Sequence, residues 1–326
     1  MTCPGLMNSA ESTNSKRVTV VIPLLNEARH LDGLVGEVVR RVEACGLSAR
    51  VVLVDDGSTD DTWAVIRQLA DSRPEVAGIS LARNFGKEAA MLAGLEAADG
   101  DAVIVMDGDG QHPPALIADM IAAWRDGADI VEATKTSRRG QAWHQRLMSS
   151  AYNRLFSSLT GVDLVGATDY RLLSKPVLEH LLALPERDLF LRGLCGWLGF
   201  RQVALPFEPE IRKAGDSRFT LRALGAYAVR SLVSFTSAPL HVVTLAGVGF
   251  MVFALVLGAQ TLWRWFSHQA VEGFTTVILL LLVQGGVIML ALGIIGQYIG
   301  QIHTEIKRRP RYIVRQRTAG PRRAPP

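Results

Sequence analysis

Short apolar runs alternate with longer amphipathic segments along the first 131 positions of the chain. The apolar runs are rich in β-branched residues and span 18–22, 50–54, 76–81, 102–106 and 130–131. Between them, apolar side chains recur at helical spacing over 27–44, 59–72, 87–98 and 114–126. β-Branched runs of this length are typical of buried parallel strands. Their regular alternation with helices predicts an α/β fold, a doubly wound and mostly parallel sheet with helices on both faces.

Two long segments near the C-terminus carry no formally charged residue. They run over 240–263 and 274–299, which is 24 and 26 residues. At about 1.5 Å of rise per residue, each is long enough to cross a hydrocarbon core of roughly 30 Å. The short connection between them forces an antiparallel arrangement. We therefore expect a two-helix transmembrane hairpin, with Trp263, Trp265 and Tyr298 near its membrane–water interfaces.

The charges that flank the hairpin predict its orientation. The segment after the second apolar stretch is basic and contains Lys307, Arg308, Arg309, Arg311, Arg315, Arg317, Arg322 and Arg323. Positive flanks favour the cytoplasmic side of a membrane. The first 17 residues are polar and lack the apolar core of a signal peptide. We expect the large N-terminal domain and both termini to lie in the cytoplasm.

The alternation of strands and helices weakens between 140 and 240. Residues 141–159 and 218–236 carry aromatic, leucine and arginine residues at helical spacing. This pattern fits helices that pack in a core, and it also fits helices that lie on a lipid surface. The predicted division of the chain is a flexible tail at 1–16, an α/β domain at 17–217, a juxtamembrane amphipathic helix at 218–239, the hairpin at 240–299 and a basic tail at 300–326.

Composition narrows the classes of partner. The chain is 48% hydrophobic and has a formal net charge of +4, with a sequence pI of about 9.1. A basic balance fits nucleic acid, anionic lipid or phosphorylated ligands. Because much of the positive charge flanks the apolar segments, we expect a membrane and phosphorylated ligands and no nucleic acid. Cys3, Cys45 and Cys195 fit no zinc spacing, so we interpret them as ordinary thiols in a reducing compartment.

Polar side chains follow three of the predicted strands. Asn26 and Glu27 come after the first strand, Asp55 and Asp56 after the second, and Asp107-Gly-Asp109 after the fourth. Ligands of such sheets bind beyond the carboxyl ends of the strands, where these clusters converge. Carboxylate oxygens are the ligands that Mg²⁺ and Mn²⁺ take beside a diphosphate. No glycine-rich G-x-G-x-x-G follows the first strand, which disfavours a dinucleotide site.

Five ordered motifs resemble one enzyme family. They are Val20-Val-Ile-Pro-Leu-Leu-Asn-Glu27, Val54-Asp-Asp-Gly-Ser-Thr-Asp60, Asn84-Phe-Gly-Lys87, Met106-Asp-Gly-Asp-Gly-Gln-His-Pro-Pro114 and Thr168-Asp-Tyr-Arg-Leu172. Together they look like the polyprenyl-phosphate glycosyltransferases of family 2, the dolichol-phosphate mannose synthase-like group. The hairpin is similar to that of the bacterial branch that makes undecaprenyl-phosphate sugars.

The resemblance implies a GT-A catalytic domain, a nucleotide-sugar donor, a polyprenyl (undecaprenyl) phosphate acceptor, inversion at the anomeric carbon and a Mg²⁺ or Mn²⁺ cofactor. It also implies a location in the bacterial inner membrane. The implied nucleotide and donor residues are Pro23, Asn26, Glu27, Asp55, Asp56, Lys87, Asp107, Gly108 and Asp109. The implied metal ligands are Asp109, Gln111 and Asp107, and the implied catalytic residues are Asp169, Arg171 and Asp107. The implied phosphate and acceptor residues are Arg212, Lys213, Ser217 and Arg218. Arg192 is a further candidate, because two phosphate-bearing substrates need cations between them, and a solvated basic loop beside a membrane is the alternative interpretation of these residues.

One motif departs from the family pattern. The family usually has Asp-Ala-Asp-Leu-Gln, whereas this chain has Asp-Gly-Asp-Gly-Gln, and we expect Gly108 and Gly110 to make the loop more pliable. His112, between this motif and two prolines, is interpreted as a loop residue. A phosphate monoester acceptor is already ionised near neutral pH. We therefore expect Asp169 mainly to orient the acceptor or the metal shell, with proton removal a lesser task.

The donor and the assembly state stay open at this level. The stretches around Tyr170 and 197–201 look most like the glucosyl branch, so UDP-glucose is the leading donor. GDP-mannose, a UDP-N-acetylhexosamine or a UDP-aminoarabinose derivative are alternatives. A processive polysaccharide synthase and a non-enzymatic nucleotide-binding scaffold are the competing functions. Glycines recur along both apolar segments, which favours close helix contact and predicts a homo-oligomer.

Overall fold

The computed structural model describes residues 16–135, 154, 157–158, 167–186, 190–208, 238–267 and 273–318. These residues fall into two compact units. The first contains 16–135, 167–186, 190–208 and 310–318, and the second contains the two long apolar helices. Of the two predicted amphipathic helices, 218–236 lies wholly outside the described residues and 141–159 almost wholly so.

The first unit is built on a mixed sheet of eight strands. The strands are β1 (Arg17–Leu24), β2 (Ser48–Asp55), β3 (Val76–Leu81), β4 (Ala102–Val105), β5 (Ile130–Lys135), β6 (Ala167–Ser174), β7 (Gln202–Phe207) and β8 (Val314–Arg317). The helices of this unit are α1 (Leu31–Ala44), α2 (Thr62–Ser72), α3 (Lys87–Ala97), α4 (Leu116–Arg125), α5 (Lys175–Ala183) and α6 (Leu191–Trp197). A short 3₁₀ helix, Ala28–His30, precedes α1.

The strand order across the sheet is β7-β5-β6-β4-β1-β2-β3-β8. β1 pairs in parallel with β2 and with β4, β2 pairs in parallel with β3, and β5 pairs in parallel with β7. The exceptions are β6, antiparallel to both β4 and β5, and β8, antiparallel to β3. The predicted mostly parallel α/β sheet is confirmed. The insertion of β6 between β4 and β5 was not predicted.

The core lies on both faces of the sheet. On one face, alternate residues of β1 and β2 such as Val20, Ile22 and Leu53 join apolar side chains of α1, α2 and α4 in one buried cluster. α3 covers the other face so closely that a Cβ at Gly94 would lie 2.2 Å from Cγ1 of Val21. Because both faces of β1 are covered, the strand is apolar from Val18 onwards except at Thr19, and it fixes the position of the polar residues that follow it.

The strand β8 comes after both apolar helices in the sequence and completes an edge of the sheet. Its pairing with β3 is reinforced by a hydrogen bond from Nε1 of Trp63 to Oε1 of Gln316, at 2.7 Å. The backbone N–H of Gly78 also donates to Oγ1 of Thr318, at 2.8 Å. Part of the segment predicted as a basic tail is therefore an ordered edge strand.

The second unit contains two long helices, α7 (Ala238–Phe266) and α8 (Phe274–Ile306). Both are long and apolar enough to cross a membrane, over Leu240–Thr261 and Val283–Ile306. Large apolar side chains on both helices are exposed, for example Leu245 and Met289. An apolar surface of this extent is unfavourable in water and suits contact with lipid. At every glycine of α7 and α8, an added Cβ would meet no atom within 4 Å in the described part of this single chain. The predicted helix contact at these glycines is therefore not seen within one chain, and the homo-oligomer stays a prediction.

Candidate active site

An ion-pair cluster lies at the carboxyl ends of the central strands. Nζ of Lys87, in the first turn of α3, is 2.6 Å from Oδ1 of Asp107 and 2.6 Å from Oδ2 of Asp169. Arg192, on α6, binds Asp169 in a bidentate manner, with Nε 2.8 Å from Oδ1 and Nη2 3.0 Å from Oδ2. The cluster therefore joins the loop after β4, the strand β6 and the helices α3 and α6 through two carboxylates and two cations.

The charges in this cluster keep its members ionised. Burial alone would raise the pKa of Asp169, but the neighbouring charges of Arg192 and Lys87 outweigh it and hold this pKa well below its usual range. Burial alone would lower the pKa of Lys87, whereas the charges of Asp169 and Asp107 raise it overall. Asp169 is thus an anion at neutral pH, with both of its oxygens already bound to cations.

The loop that leads to Lys87 is held by Asp56. The carboxylate of Asp56 accepts hydrogen bonds from the backbone N–H groups of Phe85, at 2.7 Å, and Gly86, at 3.0 Å. Gly86 has a φ of 98°, a conformation that favours glycine. Burial raises the pKa of Asp56 even though these two hydrogen bonds oppose the shift. Asp56 therefore positions the start of α3, and its predicted contact with a nucleotide stays a prediction.

The neighbouring polar residues tie the ends of β1 and β2 together. Asp55 accepts hydrogen bonds from the backbone N–H of Ser58 and from Oγ of Ser80, both at 2.9 Å. Asn26, with a φ of 58°, accepts one from the backbone N–H of Thr59 through Oδ1, at 2.9 Å. Two further hydrogen bonds link these segments. The backbone N–H of Asn26 donates to Oγ of Ser58, and the backbone N–H of Glu27 donates to Oγ1 of Thr62. Pro23 lies inside β1, where it pairs with Val54.

The glycines of the Asp107–Gln111 loop have defined tasks in the structure. Gly110 has a φ of 75°, which side-chain-bearing residues rarely adopt. A Cβ at Gly108 would lie 2.4 Å from Cδ2 of Leu24. The backbone N–H of Gln111 donates to Oδ1 of Asp109, at 3.0 Å, and closes the turn. The structure thus shows a turn that this hydrogen bond closes and in which Gly110 has a conformation that favours glycine, and the expected pliability of the loop stays a prediction.

His112 is part of this loop's support, which sequence reasoning missed. Its ring is buried and stacks on Tyr170, with centroids 4.9 Å apart and an interplanar angle of 15°. Its Nδ1 accepts a hydrogen bond from the backbone N–H of Asp107, at 2.9 Å. The neutral ring therefore carries its proton on Nε2, which lies 3.7 Å from Oδ2 of Asp107. Burial lowers the pKa of His112, which favours this neutral form.

Arg171 lies beside the ion-pair cluster, and its predicted catalytic role stays a prediction. Its side chain is completely buried. Its guanidinium binds Glu132 and the backbone carbonyl groups of Thr168 and Leu191. Arg192 is in the cluster, as described above. The remaining predicted phosphate and acceptor residues, Arg212, Lys213, Ser217 and Arg218, lie outside the described residues.

The oxygen atoms at the end of β4 suit a divalent cation bound together with a diphosphate. Asp107 and Asp109 are partly exposed, and the amide oxygen of Gln111 lies beside them in sequence, 3.5 Å from Nζ of Lys135. Within the described ranges, no group of three or more His, Cys, Asp or Glu side chains is arranged to hold a metal. Mg²⁺ commonly takes one or two protein carboxylates and completes its coordination with water and substrate phosphates. The residues present fit that incomplete kind of site.

The chain is similar to known glycosyltransferases. The family model "Glycosyl transferase family 2" matches residues 19–182. The chain is 36% identical to the putative glycosyltransferase CsbB of Bacillus subtilis, over 92% of this chain and 91% of that protein. It is 33% identical to the bactoprenol glucosyl transferase of Shigella phage SfX, over 92% and 99% respectively.

A solved structure shows a more distant likeness. It is that of glucosyl-3-phosphoglycerate synthase from Mycobacterium tuberculosis, with a TM-score of 0.47 and 23% sequence identity. The match covers 68% of this chain and 78% of that one.

Proposed function

The chain belongs to glycosyl transferase family 2, and from this premise we propose that it transfers glucose from UDP-glucose to a polyprenyl phosphate, with inversion at the anomeric carbon. That it is a glycosyltransferase follows from the family and from relatives named as such. Several relatives are named bactoprenol glucosyl transferases, which supports the lipid acceptor and the sugar. The observation that carries the proposal is the cluster of Lys87, Asp107, Asp169 and Arg192 beside the carboxyl end of β4.

The proposed reaction exchanges one bond at the sugar. An oxygen of the acceptor phosphate attacks the anomeric carbon, and the bond from that carbon to the donor diphosphate breaks. UDP leaves with the bonding electron pair. Asp107, Asp109 and Gln111 would hold Mg²⁺ or Mn²⁺, which when bound neutralises the charge on the departing diphosphate. The acceptor is already ionised near neutral pH, so the attack needs no strong base.

The protein's own cations have a defined task in this reaction. Two phosphate-bearing substrates must approach each other, and positive charge has to offset their repulsion. Lys87 and Arg192 supply such charge, and Asp169 fixes both side chains through its two oxygens. The ionised state of Asp169 fits a positioning task better than proton removal, because a carboxylate with a lowered pKa is a weak base.

The place of β8 in the chain supports the proposed membrane topology. β8 follows both candidate spans and pairs with β3, which precedes them. If both α7 and α8 cross the bilayer, the segments before and after them lie on the same side. The basic residues after α8 favour the cytoplasm. We propose that the catalytic domain and the segment after α8 both lie on the cytoplasmic face.

A pair of reporter fusions after Pro326 tests this topology. A green fluorescent protein at this position is expected to fluoresce, and alkaline phosphatase at the same position is expected to be inactive, because that enzyme requires an oxidising compartment. The control is the same pair of reporters fused after residue 268, between the two spans, where the opposite pattern is expected. Active alkaline phosphatase after Pro326 would contradict the proposal.

A donor panel tests the reaction itself. The full chain in liposomes with undecaprenyl phosphate and Mn²⁺ receives radiolabelled UDP-glucose, GDP-mannose, a UDP-N-acetylhexosamine or a UDP-aminoarabinose derivative in turn. The expected result is label in the lipid phase with UDP-glucose, as one sugar per lipid. A lipid product with another donor would correct the sugar. A polymer would support the processive synthase, and nucleotide binding without any product would support the scaffold.

A further inference from the structure

Arg171 occupies a buried position behind the ion-pair cluster. Nη1 of its guanidinium donates to the backbone carbonyl of Leu191, at 3.4 Å. Nη2 donates to the backbone carbonyl of Thr168, at 2.7 Å, and to Oε1 of Glu132, at 3.0 Å. One planar group therefore bridges β6 to the first residue of α6. The planar fork of arginine suits it to holding two acceptors in fixed directions.

The two carbonyl groups that Arg171 holds have a common feature. Thr168 directly precedes Asp169, and Leu191 directly precedes Arg192. Asp169 and Arg192 form the bidentate ion pair of the cluster. We infer that Arg171 is a positioning residue, which sets the distance and angle between Asp169 and Arg192 by holding the peptide unit before each of them.

The carboxylate of Glu132 holds the guanidinium and itself accepts a hydrogen bond from a residue of β7. Nε2 of Gln202, on β7, donates to Oε2 of Glu132, at 2.6 Å, and Glu132 pairs with Arg171 from the neighbouring strand. Nε of Arg171 has no hydrogen-bond partner in the part of the chain that the structure describes. Burying a charged pair is costly, and apolar side chains of similar volume often stabilise a protein as well or better. Stability alone therefore does not explain why a buried Arg171–Glu132 pair is present. Holding the carbonyl groups of Thr168 and Leu191 in place does explain it.

The inference rests on the proposed sugar transfer for its kinetic test. That test is a double-mutant cycle of wild type, Arg171→Lys, Arg192→Ala and the double variant. Lysine keeps the charge but loses the fork, so kcat is expected to fall about 10-fold while KM for the donor changes less than twofold. In the Arg192→Ala background the same change is expected to alter kcat less than twofold, because the pair that Arg171 positions is already lost. Equal losses in both backgrounds would overturn the inference.

Gln202→Leu is the matched control within the same network. It removes the hydrogen bond to Glu132 but leaves both carbonyl contacts of Arg171 in place. A purely structural network predicts that Arg171→Lys and Gln202→Leu lower kcat in proportion to their effects on the melting temperature. Positioning predicts that Gln202→Leu lowers the melting temperature with kcat within twofold of wild type. If Arg171→Lys does not fold, Glu132→Gln replaces it in the cycle, since it weakens the hold on the guanidinium.

Amide hydrogen exchange tests the positioning without any turnover. In Arg171→Lys, or in Glu132→Gln as its replacement, the peptides covering 167–170 and 190–194 are expected to exchange at least threefold faster than in wild type, whereas Gln202→Leu leaves both unchanged. Unchanged exchange in these peptides overturns the inference even if the enzyme transfers sugar. A wild-type protein that forms no lipid-linked sugar, with the expected exchange pattern, would instead count against the proposed function alone.

Discussion

Replacing Asp169 with asparagine is expected to lower kcat for lipid-linked sugar formation on the order of 10²–10³-fold. The asparagine has nearly the same shape but no charge, so it no longer holds Lys87 and Arg192 through three charge-assisted hydrogen bonds. Both cations then lose the orientation that they need beside the two phosphate groups. The melting temperature and the affinity for UDP are measured alongside kcat, and we expect the affinity to change less than the turnover.

The pH profile separates positioning from proton removal. The pKa of Asp169 is held well below its usual range, so the carboxylate stays ionised from pH 5 to pH 8 and contributes no limb to the profile of the wild type. The profile of Asp169→Asn should therefore have the same shape as that of the wild type at a lower level. Asp119→Asn, on the exposed face of α4, is the matched control and should retain full activity. A new pH dependence in Asp169→Asn, with both substrates still bound, would contradict the positioning account.

Replacing Asp109 with alanine is expected to lower kcat on the order of 10³-fold in saturating Mn²⁺. Asp109 supplies one of the few protein oxygens available to a cation at the end of β4, and its Oδ1 also closes the turn through the N–H of Gln111. Calorimetry of UDP binding is the second measurement. Mn²⁺ should strengthen UDP binding to the wild type and have little effect on the variant.

The control for Asp109→Ala is Asp71→Ala, which removes an exposed carboxylate from α2. It should leave both the turnover and the Mn²⁺ dependence of UDP binding unchanged. If Asp109→Ala kept the wild-type response to Mn²⁺, the cation would have to be held by other residues. The proposed ligands would then be wrong, although the family of the enzyme would not be affected.

The first five strands and the helices between them could be predicted from the sequence, although the fifth was expected only over 130–131. Runs such as 18–22 and 102–106 are almost entirely apolar because both faces of β1 and β4 are covered, and this pattern is strong in a single sequence. The polar residues that follow these strands could be found in the same way, because each polar cluster comes directly after an apolar run in the sequence. The ordered motifs then indicated the family, and the family match confirmed this interpretation.

The remaining strands depend on pairing between distant parts of the chain. β6 carries Asp169 and lies antiparallel between β4 and β5, and nothing in its own sequence specifies those neighbours. β8 reads as a basic tail because three of its four residues are polar or charged and face solvent at a sheet edge. Its partner β3 comes before the two long apolar helices in the sequence, whereas β8 comes after them.

The supporting residues of the site were hidden for a similar reason. His112 looks like a loop residue until Tyr170 from β6 provides the ring on which it stacks. Arg171 looks like a catalytic residue because it is two positions from Asp169 in the motif. Its burial against Glu132 becomes visible only when β5 and α6 are in place. Sequence reasoning thus named the residues that the structure brings together in the ion-pair cluster, but it did not identify the residues that hold them.

The most direct test of the proposed reaction follows radiolabelled glucose from UDP-glucose in liposomes that contain the full chain. Undecaprenyl phosphate and Mn²⁺ are each present or omitted, and EDTA is added in a final arm. The account predicts label in the organic phase only when lipid phosphate and cation are both present, with loss of the signal on EDTA addition. Label that enters product at the same rate without undecaprenyl phosphate, or in the presence of EDTA, would contradict it.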